Sequence, residues 1–429
     1  MGENIHPSLL YELDTFYGKN PRISKVNLSE ADIKDTLLPN KESLKILIVT
    51  SFRYPITGGL SHYITGLQNG LQQKGHDVDV QSPSQLPEEE FTARITHNKK
   101  AIETYLIDRY GEAIPKIVKN ASFIQTYQTF LEEKNLQKYD IIHAQDLFSI
   151  FILGKLNTHL QKPLFFTPHG LFTQSRLKFN KIKPNSVEET YFSEIEKQGL
   201  KAANKVILIS NSFKNPLKIY DATEDKMIRV RTGIDFSIND VKRNPNQIVL
   251  SCIARLSPRK GHSYLIEALS LMKENLHDVK VNIVGEGTMR ESLEKQAKQL
   301  NLENIHFLGK RFDIEDILAT SDIYVLPTIN DNFPISVLEA MFAKQAIITT
   351  NCGGIPEMIE HNRTGVICEP GNVEQLTEAL ELLIKDASFR KFLGTNAYHY
   401  ANQYLTIEKM VEGIEGVYRK TVWDEKNGT

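Results

Sequence analysis

Short apolar runs alternate with helical stretches along most of this chain, and this alternation restricts the fold more than any other feature. Residues 45–51 are apolar enough for a strand that is buried on both faces. A glycine-containing turn at residues 54–60 follows, and apolar residues then recur at helical spacing until Gly75. Such a β-turn-α unit is typical of a parallel sheet, which needs a crossover helix between neighbouring strands.

The alternation occurs in two series, separated by a polar stretch at residues 239–247. Further strands of the first series are predicted at residues 78–80, 141–143, 164–167, 206–209 and 228–230, with a helical segment at about 99–136. The second series has predicted strands at residues 248–254, 281–284, 305–308, 323–326, 346–349 and 365–367. We therefore expect two doubly wound α/β domains, which bind ligands at the carboxyl ends of their strands.

Domain boundaries follow from the same pattern. Residues 1–43 are polar and form an N-terminal extension, residues 44–240 form a first Rossmann-like domain, and residues 241–404 form a second. We expect a C-terminal helix at residues 405–429 to pack back on the first domain. The length of 429 residues fits two domains of ordinary size.

Composition excludes several classes of protein. The net charge of -2 argues against a nucleic-acid binder, which normally carries a basic face. The three cysteines, Cys252, Cys352 and Cys368, lack metal-ligand spacing and fit a reducing compartment. The sequence contains no signal-peptide pattern and no apolar stretch of membrane-spanning length. We therefore expect a cytoplasmic protein without a metal site.

Polar groups follow three strands of the second series. Arg255 and Lys260 come after the first of these strands and are followed by the flexible Gly261. Gly285, Glu286 and Gly287 form a tight turn after the second strand, and a loop at residues 331–334 leads into a helix after the third. Pro334 lies near the first turn of that helix, where free backbone N–H groups form an anion site.

Magnitudes indicate which ligand such a cluster binds. A helix N-terminus stabilises an anion by about 0.3 to 2 kcal/mol, whereas even millimolar affinity needs about 4 kcal/mol. Charge-assisted hydrogen bonds from Arg255 and Lys260, at about 1.5 to 3 kcal/mol each, supply the difference for a diphosphate. A carboxylate such as Glu339 repels phosphate and suits sugar hydroxyls instead. The combination predicts a nucleotide-binding pocket.

Four segments together resemble glycosyltransferase family 4, whose members are retaining enzymes of GT-B architecture. These segments are residues 331–341, residues 255–261, the Gly-Gly-Ile-Pro-Glu run at 353–357 and the loop with Gly58 and Gly59. The resemblance covers about residues 45–420. It implies two facing Rossmann-like domains with a donor cleft between them, and a metal-independent transfer of a sugar from a nucleotide-diphosphate donor.

The resemblance also implies roles for individual residues. Arg255 and Lys260 hold the donor diphosphate, Asp331 reaches the transferred sugar, and His169 lies near the reacting sugar. Gly58 and Gly59 close over the phosphates from the first domain. The remaining donor-binding positions are Gly285, Glu286, Asn332, Phe333, Pro334, Ile335 and Glu339. Asp331 departs from the family, which usually has the longer Glu there, and this puts donor-sugar choice or activity in question.

No cofactor is expected, and the donor is a UDP- or GDP-linked sugar. The acceptor is a sugar, a lipid-linked molecule or a small molecule, and the sequence does not identify it. Two alternatives stay open: a nucleotide-sugar epimerase or hydrolase of the same fold, and a non-catalytic partner protein. Basic runs at residues 98–100 and 176–183 leave peripheral contact with the inner face of a membrane as a further option.

Three other motifs receive structural rather than functional interpretations. Asp77 and Asp79 match an Asp-x-Asp metal motif, but they alternate with apolar residues inside a predicted strand. Gly285 to Gly287 is too short for a dinucleotide fingerprint, which argues against an NAD enzyme. His143 and Asp146 end another strand, and we interpret them as architectural.

Overall fold

The structure is a computed structural model that describes residues 13–20, 42–56, 58–239, 241 and 246–427, without side-chain detail for residues 273 and 422–427. The chain divides into two compact units. The first comprises Met1–Val230 and Val411–Thr429, and the second comprises Arg231–Met410. Most of the predicted N-terminal extension, and part of the polar stretch at 239–247, lies outside the described residues.

The first unit contains a parallel sheet of six strands in the order β2-β1-β3-β4-β5-β6. The strands are β1 (Lys45–Val49), β2 (Asp77–Gln81), β3 (Ile141–Ala144), β4 (Leu164–Phe166), β5 (Lys205–Leu208) and β6 (Met227–Arg229). The helices are α1 (Gly59–Gln73), α2 (Glu88–Tyr110), α3 (Pro115–Glu132), α4 (Leu147–Leu160), α5 (Phe172–Lys178), α6 (Val187–Ala202) and α7 (Lys214–Lys218).

The second unit contains another parallel six-stranded sheet, in the order β12-β11-β10-β7-β8-β9. Its strands are β7 (Ile248–Ile253), β8 (Val279–Val284), β9 (Ile305–Gly309), β10 (Ile323–Leu326), β11 (Ala346–Thr350) and β12 (Val366–Cys368). Its helices are α8 (His262–Leu271), α9 (Arg290–Gln299), α10 (Ile314–Ala319), α11 (Ile335–Phe342), α12 (Val373–Lys385) and α13 (Ala387–Tyr404). The last helix, α14 (Ile407–Asn427), begins in the second unit and continues in the first.

Burial explains why the strands read as unbroken apolar runs. Residues 46–49 of β1 and all four residues of β10 are buried, because helices cover both faces of each sheet. Surface helices show one apolar stripe instead. In α12, the buried residues Leu376, Ala379, Leu380 and Leu383 recur at helical spacing. The predicted parallel α/β architecture with two sheets is therefore confirmed.

The helical segment predicted at about 99–136 is in fact two helices. Gly111 ends α2 in a left-handed conformation with φ of 81°, which glycine adopts without a steric penalty. Pro115 then begins α3 at a position where the missing N–H costs nothing. The segment therefore folds as two consecutive helices, and it begins at Glu88, earlier than predicted.

Part of the N-terminal extension packs on α2. The Asp14 carboxylate accepts a hydrogen bond from Arg109 Nε at 2.5 Å and one from the Tyr110 hydroxyl at 2.8 Å. Tyr17 stacks on Tyr110 with ring centroids 4.7 Å apart, and Leu13 is buried. Residues 13–20 are therefore held to the first unit by a buried ion pair and an aromatic contact.

The strand order places the polar loops. In the second unit, β7 lies between β10 and β8. The chain continues from β7 to β8 and β9 on one side of β7, and then crosses to β10 on its other side. Such a switch point opens a crevice at the carboxyl edge of the sheet. The loops after β7, β8 and β10 carry the predicted site residues. In the first sheet the corresponding switch point lies between β1 and β3.

Candidate active site

Two loops of the second unit meet at the carboxyl edge, one on each side of the switch point. The loop after β7 contains the exposed Arg255 and a tight turn at Pro258–Lys260. The loop after β10 runs through residues 327–334 and leads into α11. The two loops are joined by side-chain and backbone bonds, so the residues in them have fixed positions relative to each other.

Lys260 and Asp331 form the central contact between these loops. The Lys260 ammonium donates to Oδ2 of Asp331, and the two side chains are only 11% and 13% exposed. Asp331 Oδ1 also accepts from its neighbour's backbone, Asn332 N, at 3.2 Å. A positive and a negative charge that the sequence assigns to one pocket therefore neutralise each other in this structure.

Arg259 joins the same loops through its backbone and its side chain. Its carbonyl accepts from the Thr328 hydroxyl and from Ile329 N, both at 2.8 Å. Its guanidinium donates to the Asn330 carbonyl at 2.9 Å and lies 3.7 Å from Asp331 Oδ1. Arg259, which belongs to the basic segment at residues 255–261, thus places a second cation beside Asp331.

Two glycines allow the close approach of these loops. A Cβ on Gly261 would lie 1.8 Å from the Pro327 carbonyl oxygen, and one on Gly353 would lie 1.7 Å from the Asp331 carbonyl oxygen. Both glycines also have positive φ, 74° and 54°. Any larger residue would push the backbone of the Asp331 loop away. Gly353 is the first residue of the Gly-Gly-Ile-Pro-Glu run, and this close contact explains why that run begins with glycine.

The loop after β8 packs on the same edge. A Cβ on Gly285 would lie 2.1 Å from the Ala254 carbonyl oxygen, and one on Gly287 would lie 2.1 Å from that of Leu256. The backbone carbonyl of Glu286 accepts from Leu256 N at 2.9 Å. The Glu286 carboxylate, however, forms an exposed ion pair with Arg290 of α9. The backbone of this loop thus contacts Ala254 and Leu256, the two residues that flank Arg255.

The first turn of α11 faces the same crevice. Pro334 is its N-cap, and within the described part of the chain no side chain caps this helix and no acidic residue lies in its first turn. Phe333 is buried, and Ile335 is the first helical residue. The Ser336 hydroxyl accepts from the buried Tyr324 hydroxyl at 2.7 Å, which fixes the start of the helix. Backbone N–H groups in the first turn of a helix can bind an anion.

Glu339 lies one turn further along α11. It is 7% exposed, and burial, with a smaller contribution from the nearby Glu315 carboxylate, raises its pKa to about 7. The group is therefore partly protonated at neutral pH. In the ionised form it only accepts hydrogen bonds, which fits a contact with sugar hydroxyls better than one with phosphate.

The predicted residues of the first unit lie at the carboxyl edge of its own sheet. Gly58 precedes α1 with φ of 140°, a conformation that favours glycine, and Gly59 is the first residue of that helix. His169 follows β4, and its Nε2 lies 3.1 Å from Gln145 Oε1. Burial lowers the pKa of His169 to about 3, so its imidazole is neutral at physiological pH.

Other residues that the sequence singled out have structural contacts. The buried His143 ring bridges the Tyr418 hydroxyl at 2.7 Å and the Thr167 hydroxyl at 2.8 Å. Asp146 is the N-cap of α4. Asp79 of the Asp-x-Asp motif accepts a hydrogen bond from the Tyr139 hydroxyl at 2.5 Å. All three cysteines are free thiols. Over the range of residues described, no helix combines the length and apolar character that crossing a bilayer requires.

The second unit therefore brings together, within one edge, Arg255, Lys260, Asp331, the first turn of α11 and Glu339. Arg259 and Gly353 lie in segments that the sequence analysis singled out, and the structure adds their individual contacts, whereas Gln145 was not singled out from the sequence. Positively charged side chains beside a helix N-terminus can bind a diphosphate, and a neighbouring carboxylate can bind hydroxyls of the attached sugars.

Two family descriptions match this chain. Residues 57–237 match "Glycosyltransferase Family 4" and residues 234–400 match "Glycosyl transferases group 1". An uncharacterized glycosyltransferase of Methanocaldococcus jannaschii is 26% identical over 88% of this chain and 98% of its own length. The UDP-Gal:alpha-D-GlcNAc-diphosphoundecaprenol alpha-1,3-galactosyltransferase of Escherichia coli is 25% identical over 82% of this chain and 94% of its own.

A solved structure has the same two-domain fold. The crystal structure of Anabaena HepE in complex with UDP and glucose aligns with a TM-score of 0.63 at 19% identity. The alignment covers 87% of this chain and 99% of HepE.

Proposed function

Since the chain belongs to glycosyltransferase family 4 and has the GT-B fold, it is a glycosyltransferase, and we propose that it is a retaining enzyme that uses a nucleotide-diphosphate sugar without a metal ion. The observation that carries this proposal is the ion pair of Lys260 with Asp331, which joins the loop that also contains Arg255 to the loop that leads into α11 at the switch point. The cations Arg255 and Lys260 suit a diphosphate, whose charge a metal neutralises in other transferases.

In the proposed reaction, the bond between the anomeric carbon of the donor sugar and the diphosphate oxygen breaks. An acceptor hydroxyl attacks the anomeric carbon on the same face, and its proton passes to the leaving diphosphate. The products are a glycoside and a nucleoside diphosphate. Arg255, Lys260 and the backbone N–H groups of α11 stabilise the negative charge that develops on the leaving group.

Other residues bind the rest of the donor under this proposal. Glu339 accepts hydrogen bonds from the ribose hydroxyls, and Asp331 binds a hydroxyl of the transferred sugar. The loops with Gly285, Glu286, Asn332 and Phe333 line the donor site. From the first unit, the loop with Gly58 and Gly59 closes over the phosphates, and His169 lies near the reacting sugar. These roles follow the family pattern and are proposals for this chain.

Lys260 cannot bind Asp331 and a phosphate with the same strength at once. We therefore propose that the donor diphosphate takes Lys260 over from Asp331, which frees the Asp331 carboxylate for the sugar. The shorter Asp side chain fits this exchange, since it lies against Lys260 in the structure. With this exchange, the enzyme can be an active transferase although it has Asp, and not the usual Glu, at position 331.

The donor base and the acceptor are proposals as well. The complex of HepE with UDP and glucose supports a UDP-linked donor, and a GDP-linked donor is the alternative. The name of the E. coli relative supports a lipid-linked diphosphate acceptor. The basic segment at residues 176–183 suits contact with an anionic membrane that carries such an acceptor. Sugar and small-molecule acceptors are the other candidates.

A donor screen tests this function. The protein is mixed with UDP- and GDP-linked sugars, with and without acceptor extracts, and nucleotide release is followed in the presence and absence of EDTA. Release that needs an acceptor and resists EDTA supports the proposal, and NMR of the product must show the donor's anomeric configuration. Release without an acceptor indicates a hydrolase, and silence with every donor indicates a non-catalytic partner protein.

A further inference from the structure

The short helix α5 carries an arginine close to the carboxyl edge of the first sheet. The chain leaves β4, passes His169 and begins α5 at Phe172, three residues later. Arg176 is the fifth residue of this helix and is half-buried. Doubly wound sheets bind ligands at the carboxyl ends of their strands. Arg176 therefore lies on the helix that directly follows the loop with His169.

The position of α5 is fixed within the first unit. The buried Glu196 carboxylate of α6 accepts a hydrogen bond from Phe172 N, at the start of α5, at 3.1 Å. The Phe172 ring contacts Phe148 of α4 and Phe192 of α6, with centroid distances of 4.9 and 5.0 Å. Since these contacts come from two longer helices, the residues one turn further along α5 also have defined positions.

The Arg176 guanidinium lies over the Phe172 ring. Its Cζ is 3.2 Å from the ring centroid. At this distance the two planar groups must be nearly parallel, because an edge-on guanidinium would push an N–H group into the ring. The N–H donors lie in the plane of the guanidinium, so they point to the sides of the stack and not at the ring. The stack therefore holds these donors in a fixed orientation.

This guanidinium has no anionic partner in the protein. Over the described part of the chain, it forms no ion pair and no hydrogen bond. Burial lowers the pKa of Arg176, and attraction to the Glu196 carboxylate opposes this only in part. Glu196 itself is bonded to the start of α5. Arg176 has thus lost part of its hydration without an anion to replace it.

The charge of the surrounding segment is positive. Residues 176–183 contain one arginine and three lysines but no acidic residue. The next acidic residues along the chain are engaged elsewhere. Glu188 pairs with Lys116 at 3.1 Å, and the Glu189 carboxylate accepts a hydrogen bond from Asn185 N at 2.5 Å. The segment therefore attracts anions.

The donor, the acceptor and a membrane surface are the candidate sources of an anion for this arginine. The donor diphosphate already has Arg255, Lys260 and the first turn of α11 under the proposed function, all in the second unit. The exposed lysines of residues 176–183 suit a membrane surface. A stacked guanidinium, in contrast, suits one oxyanion that is bound in a fixed direction. The acceptor is the source that these observations favour.

We propose that Arg176 binds a phosphate group of the acceptor, so that the enzyme glycosylates a hydroxyl of a phosphorylated acceptor. The proposal rests on the proposed function, because only a transferase needs an acceptor. Two N–H groups of the guanidinium donate to two oxygens of the phosphate, a geometry that lysine cannot provide. The phosphate can belong to a soluble sugar phosphate or to a lipid-linked diphosphate, which present the same oxyanion.

NMR of the full chain labelled with 15N-arginine tests this binding directly. The Nε–H signal that disappears in Arg176→Lys identifies Arg176, and ligands are added at constant ionic strength. We expect glucose 1-phosphate to shift this signal with saturation in the millimolar range, and glucose to leave it unchanged. The shift should persist in Lys260→Ala, because that variant weakens the donor site only.

Two further probes distinguish the source of the phosphate. Polyprenyl diphosphate in micelles of a neutral detergent represents a lipid-linked acceptor, and vesicles of phosphatidylcholine with phosphatidylglycerol represent a membrane surface. Tighter binding of polyprenyl diphosphate than of glucose 1-phosphate assigns a lipid-linked acceptor, and the reverse order assigns a soluble one. A shift of the Arg176 signal with the vesicles alone would overturn the proposal in favour of membrane contact.

Kinetics give the second readout, with an acceptor that supports turnover. We expect Arg176→Gln to raise KM for the acceptor by about 10- to 100-fold while KM for the donor changes less than about threefold, because only the acceptor loses a bidentate charge-assisted bond. Arg176→Lys should keep part of the affinity, since it keeps the charge. If Arg176→Gln folds poorly, Arg176→Met retains an apolar contact with Phe172 and should give the same separation of the two KM values.

A matched control is Arg94→Gln, which removes an arginine of the same unit that pairs with Glu90 and Glu133. This control should leave both KM values and the Arg176 signal as in the wild type. The absence of a shift with both phosphate probes overturns the proposal, as does an unchanged KM for the acceptor in Arg176→Gln. If no donor supports turnover in the wild type, the proposed function fails, and the NMR titration still decides whether Arg176 binds phosphate.

Discussion

Lys260 and Asp331 form an ion pair across the switch point of the second sheet, although 71 positions separate them in the sequence. Both side chains are mostly removed from solvent, and Arg259 supplies a second cation 3.7 Å from the Asp331 carboxylate. While Lys260 pairs with Asp331, the two charges cancel; when Lys260 binds another anion, the Asp331 carboxylate is left with its negative charge.

Replacing Lys260 by Ala should lower kcat/KM for transfer by about 10- to 100-fold, because one charge-assisted hydrogen bond contributes about 1.5 to 3 kcal/mol. Initial rates of nucleotide release measure the effect. Lys385→Ala is the matched control, since Lys385 is exposed and pairs with Glu381 on α12, outside the predicted site. If turnover is unchanged in both Lys260→Ala and the control, Lys260 does not contribute to donor binding or transfer.

Replacing Asp331 by Asn should separate nucleotide binding from transfer. The neutral amide no longer competes with the diphosphate for Lys260, so affinity for UDP or GDP should rise by about 3- to 10-fold, equivalent to about 0.7 to 1.4 kcal/mol. Turnover should fall at the same time, because the sugar loses a charged contact. Calorimetric titration and rate measurements on one preparation check both effects.

Asp331→Glu controls for this change, because it keeps the charge and has the side-chain length usual in the family. Its nucleotide affinity should stay within about twofold of the wild type, a difference below about 0.5 kcal/mol. Weaker nucleotide binding in Asp331→Asn would show that Asp331 does not compete with the diphosphate.

The raised pKa of Glu339 makes both stability and binding depend on pH. Its ordinary value is 4.5 and its folded value is about 7, so between these values the folded state binds more protons than the unfolded state. The free energy of unfolding therefore falls as pH rises from about 4.5 to 7, by about 3 kcal/mol at most, at about 1.4 kcal/mol per pKa unit. Glu339→Gln should remove this loss and raise the melting temperature at pH 8 more than at pH 4.5.

Nucleotide affinity should change in the opposite direction. The ionised Glu339 is the better acceptor for ribose hydroxyls, so UDP or GDP should bind more tightly as pH rises through 7. The nucleotide phosphate titrates in the same range, and titrations of Glu339→Gln measure that contribution separately. If nucleotide affinity changes with pH in the same way in the wild type and in Glu339→Gln, Glu339 does not contact the ribose.

Replacing Gly353 by Ala should disrupt the Asp331 loop, because the new Cβ would lie 1.7 Å from the Asp331 carbonyl oxygen. We expect a loss of about 1 to 3 kcal/mol in unfolding free energy, from overpacking and from positive φ, together with weaker nucleotide binding. Chemical denaturation and titration measure the two effects.

Gly416→Ala is the control, since Gly416 is an exposed residue of α14 with no atom within 4 Å of an added Cβ. It should raise stability by about 0.5 to 1 kcal/mol. Tolerance of Ala at position 353 would show that the Asp331 loop is not held by this contact.

Much of the fold could be predicted from the sequence, because strands such as β1, β3 and β10 are apolar runs and helices such as α12 have one apolar stripe. The runs at residues 45–51 and 323–326 gave β1 and β10 within two residues. The division of one helical segment into α2 and α3 was missed, although Gly111 and Pro115 were the signals that could have shown it. Both residues act on the backbone and leave the apolar periodicity unchanged.

Contacts within the site were less predictable than its residues. Strand order decides that β7 lies beside β10, and this non-sequential pairing brings Lys260 to Asp331. The same holds for Gln145 and His169, which depend on the pairing of β3 with β4. A single sequence states which residues end each strand but not which strands are neighbours.

The most direct test of the account compares diphosphate with monophosphate binding. Calorimetry would measure UDP against UMP, and GDP against GMP, in the wild type and in Lys260→Ala. The account predicts that the diphosphate of the preferred base binds at least about tenfold more tightly than its monophosphate in the wild type, and that Lys260→Ala removes most of this difference. An equal diphosphate preference in both proteins, or no binding of either diphosphate by the wild type, would contradict it.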